Sequence, residues 1–186
     1  LIKFFIMDER IDVVNTKGMP TGKTCLKSEA HQHGILHGTV HIWLHTKDLQ
    51  ILIQKRSESK EIYPNLWDVS VAGHISSGES PILAALREVK EEIDLSINQE
   101  QLKSIPPFEE KHYHANNIVD HEIHHIYLVK LHIDLSKLTP QKEEVEALRL
   151  ISTKELQNNY TNPDVFVPHT PEYYKHILKY LKENKS

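Results

Sequence analysis

Three glutamates, Glu88, Glu91 and Glu92, occur at a spacing that an α-helix gathers onto one face. At 100° per residue they fall within an arc of about 100°. Ala84 lies inside that arc and Ala85 at its edge, so small side chains leave room beside the carboxylates. Carboxylates at i, i+3 and i+4 repel one another and weaken a bare helix by about a few tenths of a kcal/mol per pair. A hard cation such as Mg2+ removes that repulsion, because it takes oxygen ligands. A solvated acidic face with one Arg87–Glu91 pair would show the same pattern. Two features outside the helix favour the metal: a glycine-bearing loop precedes it, and that loop carries another acid, Glu79.

Histidine is the second chemically loaded feature. There are 14, concentrated at positions 31, 33, 37, 41 and 45 and again at 112, 114, 121, 124 and 125. The run His121-Glu122-Ile123-His124-His125 satisfies the H-E-x-x-H pattern of zinc proteases. That pattern works only on a helix, and the flanks Ile118-Val119 and Ile126-Tyr127-Leu128-Val129 read as strand. On a strand His121 and His125 stand about 13 Å apart, too far to share one zinc. No protease site is expected. Lys55, Arg56 and Lys60 are basic and lie shortly before the glycine loop. They suit substrate phosphates, or are plain solvated loop charges. Trp67 reads as a core residue in preference to a base-stacking platform.

The elements that must position these groups are partly legible. Ser80 is a good N-cap and Pro81 a good first helical residue, so a helix is predicted from 81 to about 93. Ile82, Ala85, Leu86, Val89 and Ile93 make its apolar stripe, which borders the acidic face. Strands are predicted at Ile11–Val14, at His37–His45, at Gln50–Lys55, at Val69–Ala72 and within Ile118–Ile133. A short helix-like stretch is expected over Lys142–Arg149 and a final helix from Pro171, capped by Thr170, to about Glu183. Strands and helices alternate irregularly, which implies an α/β fold with a mixed sheet covered by helices.

Length and charge set the remaining bounds. The 186 residues suit one domain over 1–186, and Leu1–Ile6, ahead of Met7, reads as an extension without function. A net charge of −4 offers no basic field for a nucleic-acid polymer. The apolar opening is too short for a membrane span. Cys25 is the only cysteine, so no intrachain disulfide can form and a reducing, cytoplasmic setting is expected.

The loop and helix together resemble the motif of Nudix hydrolases, G-x5-E-x7-R-E-U-x-E-E-x-G-U, with U a bulky aliphatic residue. Gly73, Glu79 and Arg87-Glu88-Val89-Lys90-Glu91-Glu92-Ile93-Asp94-Leu95 match every defined position over 73–95 except the last glycine, which is Asp94. Asp tolerates positive φ better than most residues, so a small stability cost and intact chemistry are expected there. The resemblance implies a Nudix α/β/α sandwich. It implies Mg2+ or Mn2+ held by Glu88, Glu91, Glu92 and the Gly73 carbonyl, with Glu79 and Arg87 fixing loop and helix. It implies hydrolysis of a phosphoanhydride in a small-molecule diphosphate, such as a nucleoside di- or triphosphate. Glu91 or Glu122 would act as base. Nudix proteins often form homodimers, and nothing in the sequence marks such a surface.

A narrower likeness reaches from about residue 8 to 135. Leu36-His37-Gly38, Gln54-Lys55-Arg56-Ser57, Lys60, Pro64, Trp67 and Ser70-Val71-Ala72-Gly73-His74 resemble type 1 isopentenyl-diphosphate isomerase, a Nudix relative. That resemblance implies a second metal or substrate site at His37, His74, Asp120 and Glu122. The isomerase needs a protonating thiol where this chain has Ala72, and a methyl can neither give nor take a proton. An isomerase-like hydrolase is therefore expected. Isomerisation, hydrolysis of an isoprenoid diphosphate and a non-enzymatic ligand-binding module are the alternatives.

Overall fold

The structure, a computed structural model, describes residues 8–184 apart from the side chain of Asn116. The expected extension at Leu1–Ile6 lies outside the described residues. In chain order the strands are β1 Arg10–Val14, β2 Pro20–Leu26, β3 His37–His45, β4 Gln50–Arg56, β5 Trp67–Asp68, β6 Val71–His74, β7 Lys103–Tyr113, β8 Val119–Lys130 and β9 Val145–Ser152. The helices are α1 Lys27–His33, α2 Pro81–Ile93, α3 Thr153–Asn159 and α4 Pro171–Glu183.

The strand β3 organises the sheet. It pairs in parallel with β8 along its whole length, from His37 opposite Glu122 to His45 opposite Lys130. On its other edge it pairs antiparallel with β6, Thr39 opposite His74 and His41 opposite Ala72. The other strand pairs are antiparallel, so the sheet is mixed. Every residue of β3 is buried, so its two alternating faces meet two different layers.

Val40, Ile42 and Leu44 face α2, against Ala84, Ala85, Val89 and Ile93. Trp43 and the neighbouring Ile51, Ile53, Ile126 and Leu128 face Tyr173, Tyr174, Ile177, Leu178 and Leu181 of α4. Each such large side chain stabilises the fold by roughly 1.5–3 kcal/mol through burial. The result is the expected α/β/α sandwich.

Helix α2 starts and stops as its sequence predicts. Ser80 accepts the Leu83 backbone N–H, Pro81 opens the first turn, and Asp94 takes the left-handed conformation with φ 54°. Elsewhere the fold departs from expectation. The stretch Lys142–Arg149 is not helical: a turn leads into β9, which pairs with β4 from Ser152 opposite Gln50 to Val145 opposite Arg56. Pairing with an open strand edge outweighs the helix propensity of Glu-Glu-Val-Glu-Ala-Leu. Strand β7 carries Pro106 and Pro107, which have no N–H to give a strand ladder. They fall where the register with β8 shifts, between Ile105 and Phe108, on a strand that pairs on one side only. There a missing N–H costs little.

Candidate functional site

The loop from Gly73 to Glu79 is clasped to α2 by one side chain. The Arg87 guanidinium donates through Nε to Glu79 Oε1 at 3.0 Å and through Nη2 to Glu79 Oε2 at 2.9 Å. Its Nη2 also reaches the His74 carbonyl at 3.0 Å. Its Nη1 reaches Glu88 Oε1 at 2.7 Å and Glu91 Oε2 at 3.1 Å. Glu79 Oε2 also accepts the Ser76 backbone N–H at 3.1 Å. A bidentate fork of this kind fixes orientation as well as charge. The close partners hold Arg87 protonated, well above its ordinary pKa, the Glu79 bond foremost. Burial opposes ionisation of Glu79, but the Arg87 bonds outweigh it and lower its pKa.

Glycine at 73 has a direct cause. A Cβ there would collide with the carboxyl carbon of Glu88. Backbone and carboxylate therefore meet in van der Waals contact, which only glycine permits.

The three helix glutamates differ in surroundings. Glu91 is half exposed, whereas Glu92 is 4% exposed and accepts a 3.0 Å bond from Gln54 Nε2. Burial, reinforced by the neighbouring Glu88 charge, pushes the Glu92 carboxyl up to about 8. Burial raises Glu88 as well. Buried carboxyls that resist ionisation alone fit a divalent cation, which supplies the positive charge they lack. All three line a cleft of about 490 Å³ together with Gly73, Arg56 and Lys60.

Arg56 is fixed by the Ile62 carbonyl and by Asp68 Oδ2 at 3.2 Å, and Lys60 pairs with Glu144. Burial and the nearby Arg56 charge bring Lys60 down to about 8. Lys55, the third basic candidate, does not line the cleft. It lies on β4 opposite Trp67 and Ala147, and strand alternation separates it from Arg56. Trp67 packs against the core with the Arg149 guanidinium 4.5 Å from its ring centre.

The opposite wall of the cleft is a histidine–carboxylate face. Registers between β6, β3, β8 and β7 bring His74, His37, Thr39, Asp120, Glu122, His124 and Glu110 to one side of the sheet. His37 Nε2 and His74 Nε2 stand 3.4 and 3.6 Å from Glu122 Oε1. His31 Nε2, from α1, adds itself 3.2 Å from His74 Nε2 and 3.7 Å from Asp120 Oδ1.

His37 Nδ1 lies 2.8 Å from the Ile35 carbonyl, which calls for the proton on that nitrogen and leaves the Nε2 lone pair facing the cluster. His37 Nε2 and Asp120 Oδ1 are buried without a hydrogen-bond partner. Ligand atoms of His31, His37, His74 and Glu122 all lie within 4.8 Å of one another, so this donor set also fits a metal ion. Burial favours neutral His37, but the Glu122 carboxylate beside it outweighs burial and raises its pKa. Burial and the Lys27 charge drive His74 well below the ordinary histidine range.

A model of the NUDIX domain matches residues 35–174. The chain belongs to the Nudix hydrolase family. Over 167 residues it is 35% identical to Nudix hydrolase 3 of Arabidopsis thaliana, covering 87% of this chain but 22% of that protein. It thus spans about a fifth of that relative. A Nudix hydrolase of Clostridium acetobutylicum is 31% identical, covering 95% of this chain and 98% of its own length. The isopentenyl-diphosphate Delta-isomerase of Corynebacterium diphtheriae is 30% identical, covering 90% of this chain and 92% of its own. Among solved structures, DR0079 from Deinococcus radiodurans superposes with a TM-score of 0.68 over 93% of this chain and 99% of that one, at 20% identity. The chain is thus a Nudix enzyme of the hydrolase type, in the isomerase-like branch.

Within this Nudix fold Glu79, Arg87, Glu88, Glu91, Glu92 and Gly73 come together, as do His37, His74 and Glu122. His31 escaped sequence reading because α1 is a seven-residue helix that buries only Ala30. It leaves no amphipathic stripe to detect. Gly34 ends it at φ 61°, where a Cβ would press on Val119 at 2.9 Å. The available signal was the period-two recurrence of polar residues, His37, Thr39 and His41 on one strand and Asp120, Glu122 and His124 on another. The H-E-x-x-H run lies on β8, an extended strand, as its flanks predict. Among the described residues no helix is long and apolar enough to cross a membrane.

Proposed function

We propose that this Nudix enzyme hydrolyses a phosphoanhydride bond in a polar diphosphate compound of the nucleoside di- or triphosphate class. The observation that carries the reading is the Arg87 clasp. It ties the loop after Gly73 to the Glu88 and Glu91 carboxylates, on the cleft that Arg56 and Lys60 also line. Glu88, Glu91 and Glu92, with the Gly73 carbonyl, would hold Mg2+, or Mn2+. A divalent ion held there would supply charge neutralisation for diphosphate oxygens and activation of the attacking water.

The chain's own groups do the rest. Arg56, oriented by Asp68 and the Ile62 carbonyl, and Lys60 offer N–H donors to phosphate oxygens. Burial and Arg56 bring Lys60 down to about 8 in the free protein, and a bound phosphate favours its charged form. Glu91, half exposed at the cleft, and Glu122, on the opposite wall, are the two candidates to take the proton of the attacking water. The cleft lining is dominated by charged and imidazole groups, with Ile62, Ala72, Val167 and Pro168 as small apolar exceptions. That balance suits a polar leaving moiety better than a prenyl chain.

A second reading, chemistry on an isoprenoid diphosphate, is favoured by the His31–His37–His74–Glu122 cluster together with the likeness to isopentenyl-diphosphate isomerase. Against double-bond migration stands Ala72 of β6, opposite His41 of β3; the Ala72 methyl cannot move a proton. The buried free thiol of Cys25 fits a reducing, cytoplasmic setting.

The test is phosphate and nucleotide release from a panel of nucleoside di- and triphosphates, nucleotide sugars, dinucleotides and isopentenyl and dimethylallyl diphosphates, with Mg2+, Mn2+ and EDTA in parallel. Metal-dependent cleavage of one nucleotide class is expected. Cleavage confined to the prenyl compounds selects the second reading. Tight binding without turnover of any member would make the chain a Nudix binding module and end the hydrolase proposal.

A further inference from the structure

One strand farther out on the same sheet face, a second cluster forms that the proposed hydrolysis does not use. Glu110 of β7 is 3% exposed. Its Oε1 accepts the Thr170 backbone N–H at 2.7 Å. Its Oε2 lies 2.6 Å from His169 Nδ1 and 3.3 Å from His124 Nε2. His112 Nε2 approaches Oε1 to 3.6 Å. Ligand atoms of Glu110, His112 and His169 all lie within 4.8 Å of one another.

Behind the cluster, His169 Nε2 lies 3.3 Å from Asp68 Oδ1, and His124 Nδ1 lies 2.8 Å from Thr39 Oγ1.

A proton satisfies only part of this arrangement. An imidazolium at His169 would bond both Glu110 and Asp68. It would still leave His112 Nε2 buried with no hydrogen-bond partner, a loss that natural structures rarely tolerate. A metal ion accepts lone pairs from every group whose ligand atoms converge: the imidazole nitrogens of His112 and His169 and a carboxylate oxygen of Glu110. Two imidazoles and one carboxylate are the donor set of a zinc-type site that keeps its fourth position open. Asp68 stands where the carboxylate behind a metal-bound histidine stands, taking the N–H of the nitrogen that does not coordinate.

We propose that Glu110, His112 and His169 bind a zinc-class transition-metal ion at a site distinct from the glutamates of α2 and from the His31–His37–His74–Glu122 cluster. Loading releases to solvent the proton that His169 shares with Glu110. The ion ties the edge strand β7 to the segment ahead of α4 and adds positive charge to the cleft. The inference stands independently of the substrate reading.

The test is metal binding by the full chain, stripped with a chelator and titrated with Zn2+ against a chromophoric competitor, then with Co2+ for its ligand-field spectrum. Wild type is expected to take one ion whose affinity falls at least about tenfold in His112→Ala and in His169→Gln, with loss of the tetrahedral Co2+ bands. Glu122→Gln, in the neighbouring cluster, should leave that ion in place. Zn2+ should also raise the melting temperature of wild type more than that of His112→Ala. The His112 ring is 24% exposed, so this variant is expected to fold and decides the matter if His169→Gln does not. Wild-type uptake and affinity retained in His112→Ala, or no ion taken up by wild type that responds to this substitution, would overturn the site.

Discussion

The two walls of the cleft are built in opposite ways. On one, Glu88, Glu91 and Glu92 come from a single turn and a half of α2, and Arg87 and Glu79 from the same continuous segment. On the other, His31, His37, His74 and Glu122 come from four elements scattered between residues 31 and 122, joined by strand register and by the packing of α1 against β8. The first wall is local: helix geometry and one guanidinium fork suffice to shape it. The second is tertiary, and a one-residue slip of β8 against β3 would turn Glu122 and His124 to the opposite face. A local site can be read from spacing, whereas a tertiary site shows in sequence only as unexplained composition.

The largest expected effect separates the walls by chemistry. Glu92→Gln should lower metal-dependent turnover by more than about a hundredfold, since loss of partners one shell further out already costs about 10–100-fold. Wild-type kcat in that variant would remove α2 from the reaction and pass the chemistry to the histidine wall. Arg87→Lys keeps the charge but loses the fork to Glu79, and it should cost about 10–100-fold by loosening Gly73 against Glu88. Glu122→Gln, placed beside it, is the sharper comparison. If Glu122 is the base, kcat falls with KM unchanged; if it only holds the histidine cluster, Mg2+-dependent turnover persists and transition-metal uptake falls.

A smaller effect concerns pH. The folded chain holds Glu92 protonated up to about 8, against an ordinary value of 4.5. The unfolded chain therefore releases that proton earlier, and the metal-free fold loses stability as pH rises from about 4.5 to about 8. Denaturation midpoints at pH 5, 6.5 and 8 in EDTA should decline, and Mg2+ should restore most of the loss at pH 8. A flat profile would mean that the α2 carboxylates are not held apart from water as their burial implies. The smallest effect is at Asp94, where the family motif has glycine. Asp94→Gly relieves a left-handed residue at φ 54°. It should leave turnover intact and raise stability by about 0.5–1 kcal/mol, less the lost Lys90 pair.

Much of the fold shows in the sequence where one rule governs a segment. Helices α2 and α4 carry Ser80-Pro81 and Thr170-Pro171, a cap and a first helical proline in each case, and both form as their caps predict. Strand β3 alternates over its nine residues and forms at its predicted bounds. The misses share a cause. The Lys142–Arg149 stretch has helix formers yet becomes strand because β4 offers an unpaired edge. Strand β7 is not predicted at all, and its Pro106-Pro107 pair sits in the sheet because a bulge absorbs it.

The sequence by itself determined the acidic helix, its glycine loop and the family, because those groups lie within 23 residues whose mutual distances follow from helix and turn geometry alone. Only the tertiary structure decided that Arg56 and Lys60 face the cleft while Lys55 does not. Only it decided that His31 joins His37, His74 and Glu122, and that Glu110 gathers His112, His124 and His169. Those choices depend on strand order and register, which are set by burying both faces of β3 at once. A global packing requirement of that kind leaves no signature in any one stretch of chain.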